Sequence, residues 1–422
     1  MTHVVPSQSS SLDDWLCYLE SIHPSNIDMG LTRVRQVGEK LGYTALPNVI
    51  LIAGTNGKGT TARCLEALLL SQGYSVGTYA SPHLIRYNER VRINGSELPD
   101  QDHVAAFHAL EQGRGDISLT YFEFGTLAAL EVFKQKQPDY ILLEVGLGGR
   151  LDATNIVEPI ASVITTIDLD HKEYLGDTRE LVGREKAGIF RANAPAIVGD
   201  LAIPNSIWQY AKELGTQVTA AQQNYLFTLT ADLLTYQNGD LTLFLPVPNI
   251  PAQNVATAIT TLCTLGLLPN ENTICDVLAN LTVEGRFQCL SEQPLVYADV
   301  AHNPESARYL ASKLATFQAQ GKTIIALTGM LQDKDQKAVF NAVKSNIDQW
   351  HLANLTCFRG DKADNLLQQL NSEVDAPNAT IHESVASGLQ TVLANMTEDQ
   401  LLIVFGSFYT VADAIAFWQN KE

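Results

Sequence analysis

The sequence NVILIAGTNGKGT, residues 48–60, decides the fold of this chain. Its first six residues are a continuous apolar run, which is typical of a strand buried on both faces of a parallel sheet. The glycine-rich half leads into residues 60–71, which carry apolar side chains at helical spacing. Glycines let a backbone wrap closely around phosphate, and a helix start offers free N–H groups. We therefore predict a phosphate-binding loop between a buried strand and a helix.

The spacing of this loop differs from the common P-loop pattern G-x-x-x-x-G-K-[ST]. Ile52 stands where the first glycine would be, and Gly59 follows Lys58, so a hydroxyl for Mg²⁺ would come from Thr60. An ordinary glycine-rich turn is the alternative interpretation, but the strand-to-helix context favours phosphate. The predicted nucleotide-binding residues of the loop are Asn56, Gly57, Lys58, Gly59 and Thr60.

Similar apolar strands alternate with helical stretches along the rest of the chain, which predicts an α/β protein with mostly parallel sheets. Residues 225–246 differ, because two partly alternating stretches flank Asn238-Gly239, a strong hairpin signal. We predict a β-ribbon insertion there. The remaining predicted strands are residues 75–79, 140–145, 162–167, 295–300, 323–327, 350–353 and 401–405. The strand pattern restarts near residue 284, so we predict an N-terminal P-loop-type domain, residues 1–283, and a smaller Rossmann-like α/β domain, residues 284–422.

Composition limits the class of partner. The formal charge of −18 argues against a nucleic-acid surface, because phosphate backbones are held by excess Lys and Arg. It does not argue against a single nucleotide ligand. No apolar run approaches the ~20 residues that span a bilayer. Six scattered cysteines without a C-x-x-C pair indicate a reducing, cytoplasmic setting. The polar, Ser-rich residues 1–14 are expected to form a loose tail.

Polar side chains follow three of the predicted strands. Glu144 ends one strand, Ser81 follows another, and His171 follows a third. The carboxyl ends of parallel strands meet at one sheet edge, where ligands bind, and oxygen ligands suit Mg²⁺. A salt-bridged Glu144 and a structural His171 are the alternatives. The sequence GLGGRLD, residues 146–152, follows Glu144 and is a plausible substrate loop.

The C-terminal half has matching strand ends. In ADVAHNP, Asp299 could accept hydrogen bonds from a ribose, and His302 could face the first domain. Ser407 follows the last predicted strand after Gly406. The second glycine of a nucleophile elbow is missing there, so we reject a serine hydrolase.

Together these motifs resemble the Mur ligase superfamily and, within it, the folate branch of bifunctional dihydrofolate synthase/folylpolyglutamate synthases. The motifs that carry the resemblance, in the expected order, are GTNGKGT, SPHLIRYNERVRING, TYFEFGTLAAL, LLEVGLGGRLDATN, IDLDHKEYLG, REKAGIF, EGRF and DVAHNP. Only about fifty residues precede Gly54, too few for the UDP-binding domain of peptidoglycan Mur ligases. Instead HPSNIDMGL, residues 23–31, resembles a folate-branch segment, with Met29 in place of the usual Leu.

The resemblance implies an ATP-dependent ligase that adds L-glutamate to dihydropteroate and to reduced folates through an acyl phosphate. It implies a monomer with two Mg²⁺ ions, held by Ser81, Glu144 and His171, and a carbamylated Lys186. It assigns Asn254, Arg286 and Asp299 to ATP, and catalytic roles to Lys58, Lys186 and His302. The implied substrate-binding residues are Asp28, Thr120, Tyr121, Phe122, Glu123, Leu151, Asp152, Ala153 and Ser407.

Several alternatives stay open at the level of sequence. The ligase could act on another carboxylic acid, or the chain could be a P-loop ATPase that drives a switch. Lys186 could contact phosphate directly. Phe122 could be a core residue, and Asp28 could cap a helix that starts at Gly30.

Overall fold

The computed structural model describes residues 4–25, 27–357 and 359–419. The chain divides into two compact units, Met1–Leu281 and Thr282–Glu422. Within the described ranges, no helix is both long enough and apolar enough to cross a membrane. The predicted α/β class is confirmed, because both units are built on a mainly parallel sheet with helices packed against it.

The first unit contains an eight-stranded sheet. Its strands are β1 (Val49–Ala53), β2 (Val76–Tyr79), β3 (Val91–Ile93), β4 (Ser96–Glu97), β5 (Tyr140–Glu144), β6 (Ala161–Ile164), β7 (Ala196–Val198) and β8 (Val218–Ala220). The order is β4-β3-β2-β5-β1-β6-β7-β8, and neighbouring strands are parallel except for the antiparallel pairs β2–β3 and β3–β4. All five residues of β1 are buried, as its apolar run predicted. Because β1 pairs in parallel with β5 and β6, the carboxyl ends of these three strands lie at one edge.

Helices pack against this sheet. They are α1 (Leu12–Ser21), α2 (Thr32–Lys40), α3 (Lys58–Leu70), α4 (Asp100–Arg114), α5 (Tyr121–Lys136), α6 (Lys172–Leu175), α7 (Arg179–Ala187), α8 (Asn205–Leu214), α9 (Ala252–Thr264) and α10 (Glu271–Asn280). Two short 3₁₀ helices are Tyr87–Arg90 and Ala153–Ile156. The expectation of a loose tail is wrong from Leu12 onward. Ser11 and Asp14 form a capping box that starts α1, and Trp15 is fully buried.

The predicted β-ribbon is a three-stranded antiparallel sheet and not a single hairpin. Its strands are β9 (Tyr225–Leu229), β10 (Leu234–Asn238) and β11 (Leu241–Leu245), in the order β11-β10-β9. Asn238-Gly239 lies at the turn between β10 and β11, with Gly239 at a φ of 58°. The hydroxyls of Tyr225 and Tyr236 lie 3.2 Å and 2.8 Å from those of Thr257 and Thr260 on α9. The ribbon is thus attached to α9.

The second unit contains a six-stranded sheet in the order β12-β13-β17-β14-β15-β16, parallel except for β12. The strands are β12 (Gln288–Glu292), β13 (Leu295–Asp299), β14 (Thr323–Thr328), β15 (Gln349–Ala353), β16 (Ala379–His382) and β17 (Gln400–Phe405). The helices are α11 (Pro304–Ala319), α12 (Gln336–Val343), α13 (Ala363–Asn371), α14 (Val385–Leu393) and α15 (Phe408–Gln419), with a 3₁₀ turn at Lys344–Asn346. The four strands predicted in this unit are present as β13, β14, β15 and β17. The prediction missed the edge strands β12 and β16, which are too polar to show an apolar run.

Candidate active site

The residues after β1 form an open anion site. The helix α3 begins at Lys58, and its N-cap Gly57, with a φ of 81°, has no side chain that could cap the first N–H groups. The Lys58 ammonium folds back and donates to the carbonyls of Gly54 at 3.1 Å and Thr55 at 3.2 Å. Uncapped N–H groups and the helix dipole favour an anion at this end. We call residues 54–57 the phosphate loop.

The end of the neighbouring strand β6 supports the phosphate loop. The Asn56 N–H donates to Thr166 Oγ1 at 3.0 Å, and the Thr165 hydroxyl donates to the Asn56 carbonyl at 2.5 Å. A Cβ at Gly54 would lie 1.9 Å from Thr165 Oγ1, so only glycine fits there. Neither threonine could be identified from the sequence, because no motif marks a support that comes from the end of another strand.

Three predicted site residues lie beside the phosphate loop. Asn254 of α9 packs on Gly57, where a Cβ would lie 2.5 Å from its Oδ1. Glu144 Oε2 lies 3.2 Å from the place of a Cβ on Gly59, and it accepts the Ser81 N–H at 3.3 Å. Strand β5, strand β2 and α9 therefore bring these side chains to the nucleotide end of α3.

His171 lies on a segment that is tied to the phosphate loop through Thr55. The Thr55 hydroxyl donates to the Asp168 carbonyl at 3.0 Å and accepts the Asp168 N–H at 2.9 Å. His171 itself precedes α6 with a φ of 49° and donates its N–H to Asp170 Oδ1. Within the described part of the chain, no group of three His, Cys, Asp or Glu side chains could hold a metal. The predicted set contains only two such side chains and a hydroxyl, so this finding does not bear on it.

Residues 146–152, which we call the glycine loop, follow β5 and are closed by Asp152. This carboxylate is 4% exposed. Its Oδ2 accepts the Leu147 N–H at 2.8 Å, while Oδ1 accepts the N–H and the hydroxyl of Thr154 at 2.9 Å and 2.6 Å. Burial raises the pKa of Asp152, and these hydrogen bonds oppose the shift. Asp152 thus shapes the loop and starts the 3₁₀ helix at the buried Ala153.

Lys186 lies on the helix that packs against the glycine loop. It is 2% exposed and belongs to α7. The Arg150 N–H donates to the Glu185 carbonyl at 2.8 Å, and the Arg150 guanidinium pairs with the Glu185 carboxylate at the same distance. A Cβ on Gly149 would lie 3.0 Å from the Lys186 carbonyl oxygen. Backbone contact on this scale requires glycine at position 149.

The predicted substrate segment near Asp28 is joined to the start of α5. Arg33 pairs with Asp28 Oδ2 at 2.7 Å and with Glu123 Oε1 at 3.0 Å. Glu123 and Thr120 form a capping box, in which the Thr120 N–H donates to Glu123 Oε2 at 2.8 Å. The alternative role of Asp28 as a helix cap is wrong, because α2 begins at Thr32 with Leu31 as its N-cap. Asn26, in the same predicted segment, lies outside the described residues.

Phe122 and Met29 connect these segments to the glycine loop. A Cβ on Gly146 would lie 2.4 Å from Phe122 Cζ, so the ring packs directly on this glycine. The Met29 Cε lies 3.9 Å from the corresponding place on Gly148. Phe122 is half-buried and packs against the hydrophobic core, so the alternative role as a core residue stays open. The predicted segments around Asp28, Phe122 and the glycine loop thus converge.

A buried arginine lies beside this cluster. Arg90 is 9% exposed, and its guanidinium carbon lies 5.5 Å and 5.4 Å from the ring centres of Tyr87 and Tyr121. Its Nε donates to His83 Nδ1 at 2.8 Å. Burial and the Arg90 charge lower the pKa of His83 to about 4, so His83 is neutral near pH 7. The sequence analysis quoted the motif SPHLIRYNERVRING without giving either residue a role.

In the second unit, the predicted nucleotide residues gather at the ends of β13 and β17. Asp299 is 6% exposed and accepts the N–H groups of Phe287 and Ala301, both at 2.8 Å. Burial raises the pKa of Asp299, and the charge of Arg286 opposes the shift. The Arg286 guanidinium carbon lies 5.2 Å from the centre of the Phe408 ring. The centre of the His302 ring lies 6.1 Å from the centre of the same Phe408 ring.

Ser407 has an internal role in the second unit. It is 3% exposed, and its hydroxyl accepts the Thr410 N–H at 3.0 Å. The two hydroxyls of Ser407 and Thr410 also lie 2.8 Å apart. Ser407 therefore stabilises the first turn of α15.

Comparison with known proteins resolves the family. Residues 52–232 match the family model of the Mur ligase middle domain, and residues 285–408 match that of the Mur ligase glutamate ligase domain. The chain is 46% identical over 409 residues to the dihydrofolate synthase/folylpolyglutamate synthase of Escherichia coli, covering 96% of this chain and 95% of the relative. The chain belongs to the dihydrofolate synthase/folylpolyglutamate synthase family of Mur ligases. The resemblance seen in its motifs is confirmed.

Solved structures of this family have the same fold. The E. coli FolC in complex with DHPP and ADP is 45% identical, with a TM-score of 0.94, over 99% of this chain and 100% of that chain. A bifunctional folylpolyglutamate synthase/dihydrofolate synthase with Mn, AMPPNP and L-glutamate bound is 45% identical, with a TM-score of 0.90, over 97% and 98% of the two chains. As a Mur ligase of this family, the chain is an ATP-dependent carboxylate–amine ligase.

Proposed function

We propose that this chain joins L-glutamate to dihydropteroate, which gives dihydrofolate, and to reduced folates, which gives polyglutamates. The observation that carries the proposal is the convergence of the Asp28 segment, Phe122 and the glycine loop. The glycine loop of this cluster follows β5, which pairs directly with β1, the strand before the phosphate loop. The acid and the nucleotide would therefore meet at one sheet edge. The names of the relatives support both activities.

The chemistry consists of two substitutions. A carboxylate oxygen of the folate acid attacks the γ-phosphorus of ATP, and ADP leaves with the bonding electrons. The glutamate amine then attacks the acyl carbon, inorganic phosphate leaves, and the amine loses a proton as the amide forms. The protein contributes positioning and charge neutralisation, to which Lys58 and the uncapped N–H groups of α3 are suited.

The residues beside the phosphate loop fit a magnesium site. Ser81 and Glu144 offer oxygen atoms, which Mg²⁺ prefers, and they are already joined by a hydrogen bond. His171, on the segment tied to Thr55, would add one imidazole. We propose that these three side chains hold the first of two ions. Bound magnesium would neutralise phosphate charge. A relative with Mn bound supports a divalent ion at such a site.

We also propose that Lys186 is carbamylated. It is 2% exposed on α7 beside the glycine loop, and CO₂ can add to its amine once the ammonium has lost a proton. The side chain would then change from a cation to a carboxylate able to contact a metal ion. Electron density at the Nζ atom, from crystals grown near pH 7 with bicarbonate, should show a branched group. An unbranched ammonium under these conditions would favour a direct contact of Lys186 with phosphate.

The two predicted domains would divide the work. Residues 1–283 would bind the phosphates through Asn56–Thr60 and Asn254, and the acid through Asp28, Thr120–Glu123 and Leu151–Ala153. Residues 284–422 would contribute Arg286 and Asp299 to ATP, His302 to catalysis and Ser407 to substrate. The expected monomeric state and cytoplasmic location stay predictions. Each of the six cysteines is free, which is compatible with a reducing compartment.

One incubation tests the proposal. Purified enzyme with ATP, Mg²⁺ and L-glutamate receives either dihydropteroate or tetrahydrofolate, and the products are identified by mass. We expect dihydrofolate from the first acid and a glutamate-extended folate from the second. A Lys58→Met variant provides the inactive control. Phosphate release with another carboxylic acid, but with neither of these, would refute the proposal.

A further inference from the structure

We infer that Arg33 is a positioning residue that sets Asp28 for the ring of the acid substrate, an inference that rests on the proposed function. Arg33 is the ionic link between two segments that are far apart in sequence. Its Nη1 pairs with Asp28 Oδ2 at 2.7 Å, and its Nη2 pairs with Glu123 Oε1 at 3.0 Å. The same Nη2 donates to the Asp28 carbonyl at 3.2 Å. One guanidinium therefore fixes both the side chain and the backbone of Asp28.

The partners of Arg33 show that it acts through other residues. Both terminal nitrogens are engaged, and the buried Nε atom has no hydrogen-bond partner among the described residues. Glu123 is equally committed, because Oε1 pairs with Arg33 and Oε2 accepts the Thr120 N–H. Each terminal nitrogen of Arg33 and each carboxylate oxygen of Glu123 already has a partner within the protein. Arg33 and Glu123 therefore hold Asp28 in place, and Asp28 is the residue of these three that can bind a ligand.

The geometry of Asp28 suits this division. Arg33 and His23 both approach Oδ2, at 2.7 Å and 3.6 Å, while Oδ1 makes no hydrogen bond within the described residues. The Asp28 side chain is 41% exposed. A carboxylate held by one oxygen presents the other at a fixed angle. A flat nitrogen heterocycle with ring N–H and amino donors is the chemical class that such an acceptor binds.

The guanidinium also neutralises the charge of a buried carboxylate. Glu123 is a 4% exposed carboxylate at the start of α5, directly after Phe122, whose ring packs on Gly146. Without Arg33, its charge would be buried alone and would repel Asp28. The planar fork of Arg reaches two carboxylates at once, whereas Lys offers a single ammonium. The inference therefore predicts that Lys restores only part of the function of Arg33.

Steady-state kinetics with a matched control on the same helix test the inference. Arg33→Met is compared with Arg35→Met, since Arg35 is exposed and has no ion pair within the described residues. For Arg33→Met we expect the KM for dihydropteroate to rise about tenfold or more. Without Arg33 the Asp28 carboxylate is no longer held in place, so its charge-assisted hydrogen bond to the substrate is lost. The KM values for ATP and glutamate should change less than about twofold. Arg33→Lys should lie between wild type and Arg33→Met, and Arg35→Met should match wild type.

A further variant separates positioning from folding. Arg33→Met leaves Glu123 buried and unpaired, so the double variant Arg33→Met with Glu123→Gln removes that charge. The inference expects the double variant to recover thermal stability but to keep the raised KM for dihydropteroate. Recovery of both would overturn it, as would equal losses for all three substrates. If the wild-type enzyme makes no dihydrofolate, the proposed function fails instead; if it does and Arg33→Met keeps a normal KM, only this inference fails.

Discussion

The phosphate loop and the glycine loop follow two strands, β1 and β5, that pair directly in the same sheet. Both are rich in glycine, and both carry one at positive φ, Gly57 at 81° and Gly148 at 69°. Their backbones are nevertheless used differently. The N-cap residue at the end of the phosphate loop, Gly57, has no side chain to cap the N–H groups of α3, whereas the carboxylate of Asp152 accepts the N–H of Leu147 in the glycine loop.

The difference teaches that glycine content alone does not identify an anion site. Every buried backbone N–H needs an acceptor, and the question is whether the protein supplies one. The glycine loop has an internal acceptor and is further fixed to α7 through Arg150. The phosphate loop is held from outside, by Thr165 and Thr166, so that the start of α3 is left for a ligand.

The largest effect on activity should come from adding a side chain at Gly57, the residue that ends the phosphate loop. In Gly57→Ala the new Cβ would meet Asn254 Oδ1 at 2.5 Å, and the φ of 81° adds strain of about 1–2 kcal/mol. We expect kcat/KM for ATP to fall by about 100-fold or more. Gly42→Ala is the control, because its φ of 73° is similar but nothing lies within 4 Å of its Cβ. ADP binding by Gly57→Ala at wild-type affinity, measured by calorimetry, would contradict this.

A smaller but still large loss of activity should follow when the negative charge of Glu144, beside the phosphate loop, is removed. Glu144→Gln keeps the shape beside Gly59 and Ser81 but removes a metal-binding carboxylate. We expect turnover at ordinary Mg²⁺ to fall by about 10- to 100-fold and to recover partly at high Mg²⁺. Glu97→Gln, which removes a surface pair with Arg86, should change turnover little. Normal turnover of Glu144→Gln at ordinary Mg²⁺ would remove Glu144 from the proposed metal site.

The sequence could predict the open loop but not its support. The apolar run of β1 and the glycines after it are local signals, and the structure places them as expected. Thr165 and Thr166 come from a strand that follows more than a hundred residues later, so no spacing rule reveals them. Likewise, the sequence placed Asp152 near the substrate but could not show that its oxygens face Leu147 and Thr154.

A change in the glycine loop should affect the KM for the acid substrate and not the KM for ATP. In Asp152→Asn an amide NH₂ group would face N–H or hydroxyl donors, which costs about 1–3 kcal/mol for a buried group. We expect a lower Tm and a severalfold higher KM for dihydropteroate, with the KM for ATP unchanged. Asp139→Asn is the control, because that carboxylate also accepts a backbone N–H, from Ser75 at 2.7 Å, but at an exposed position. A parallel rise of both KM values would show that the two loops are not independent.

The smallest effect should come from loosening the support of the open loop. Thr165→Val keeps the shape of the side chain but removes the hydroxyl that donates to the Asn56 carbonyl at 2.5 Å. One such bond contributes about 1 kcal/mol, so the KM for ATP should rise about fivefold with little change in kcat. Thr165→Ser should restore it.

Thr61→Val provides the matched control, since Thr61 is buried in α3 and its hydroxyl has no hydrogen-bond partner in the part of the chain that the structure describes. Its removal should leave the KM for ATP unchanged. Equal kinetics for the two valine variants would mean that Gly54–Gly57 keeps its shape without β6, and the contrast between a loop fixed from outside and one fixed from within would fail. A rise confined to Thr165→Val would instead show that the strand next to β1 determines how the phosphate loop presents its N–H groups.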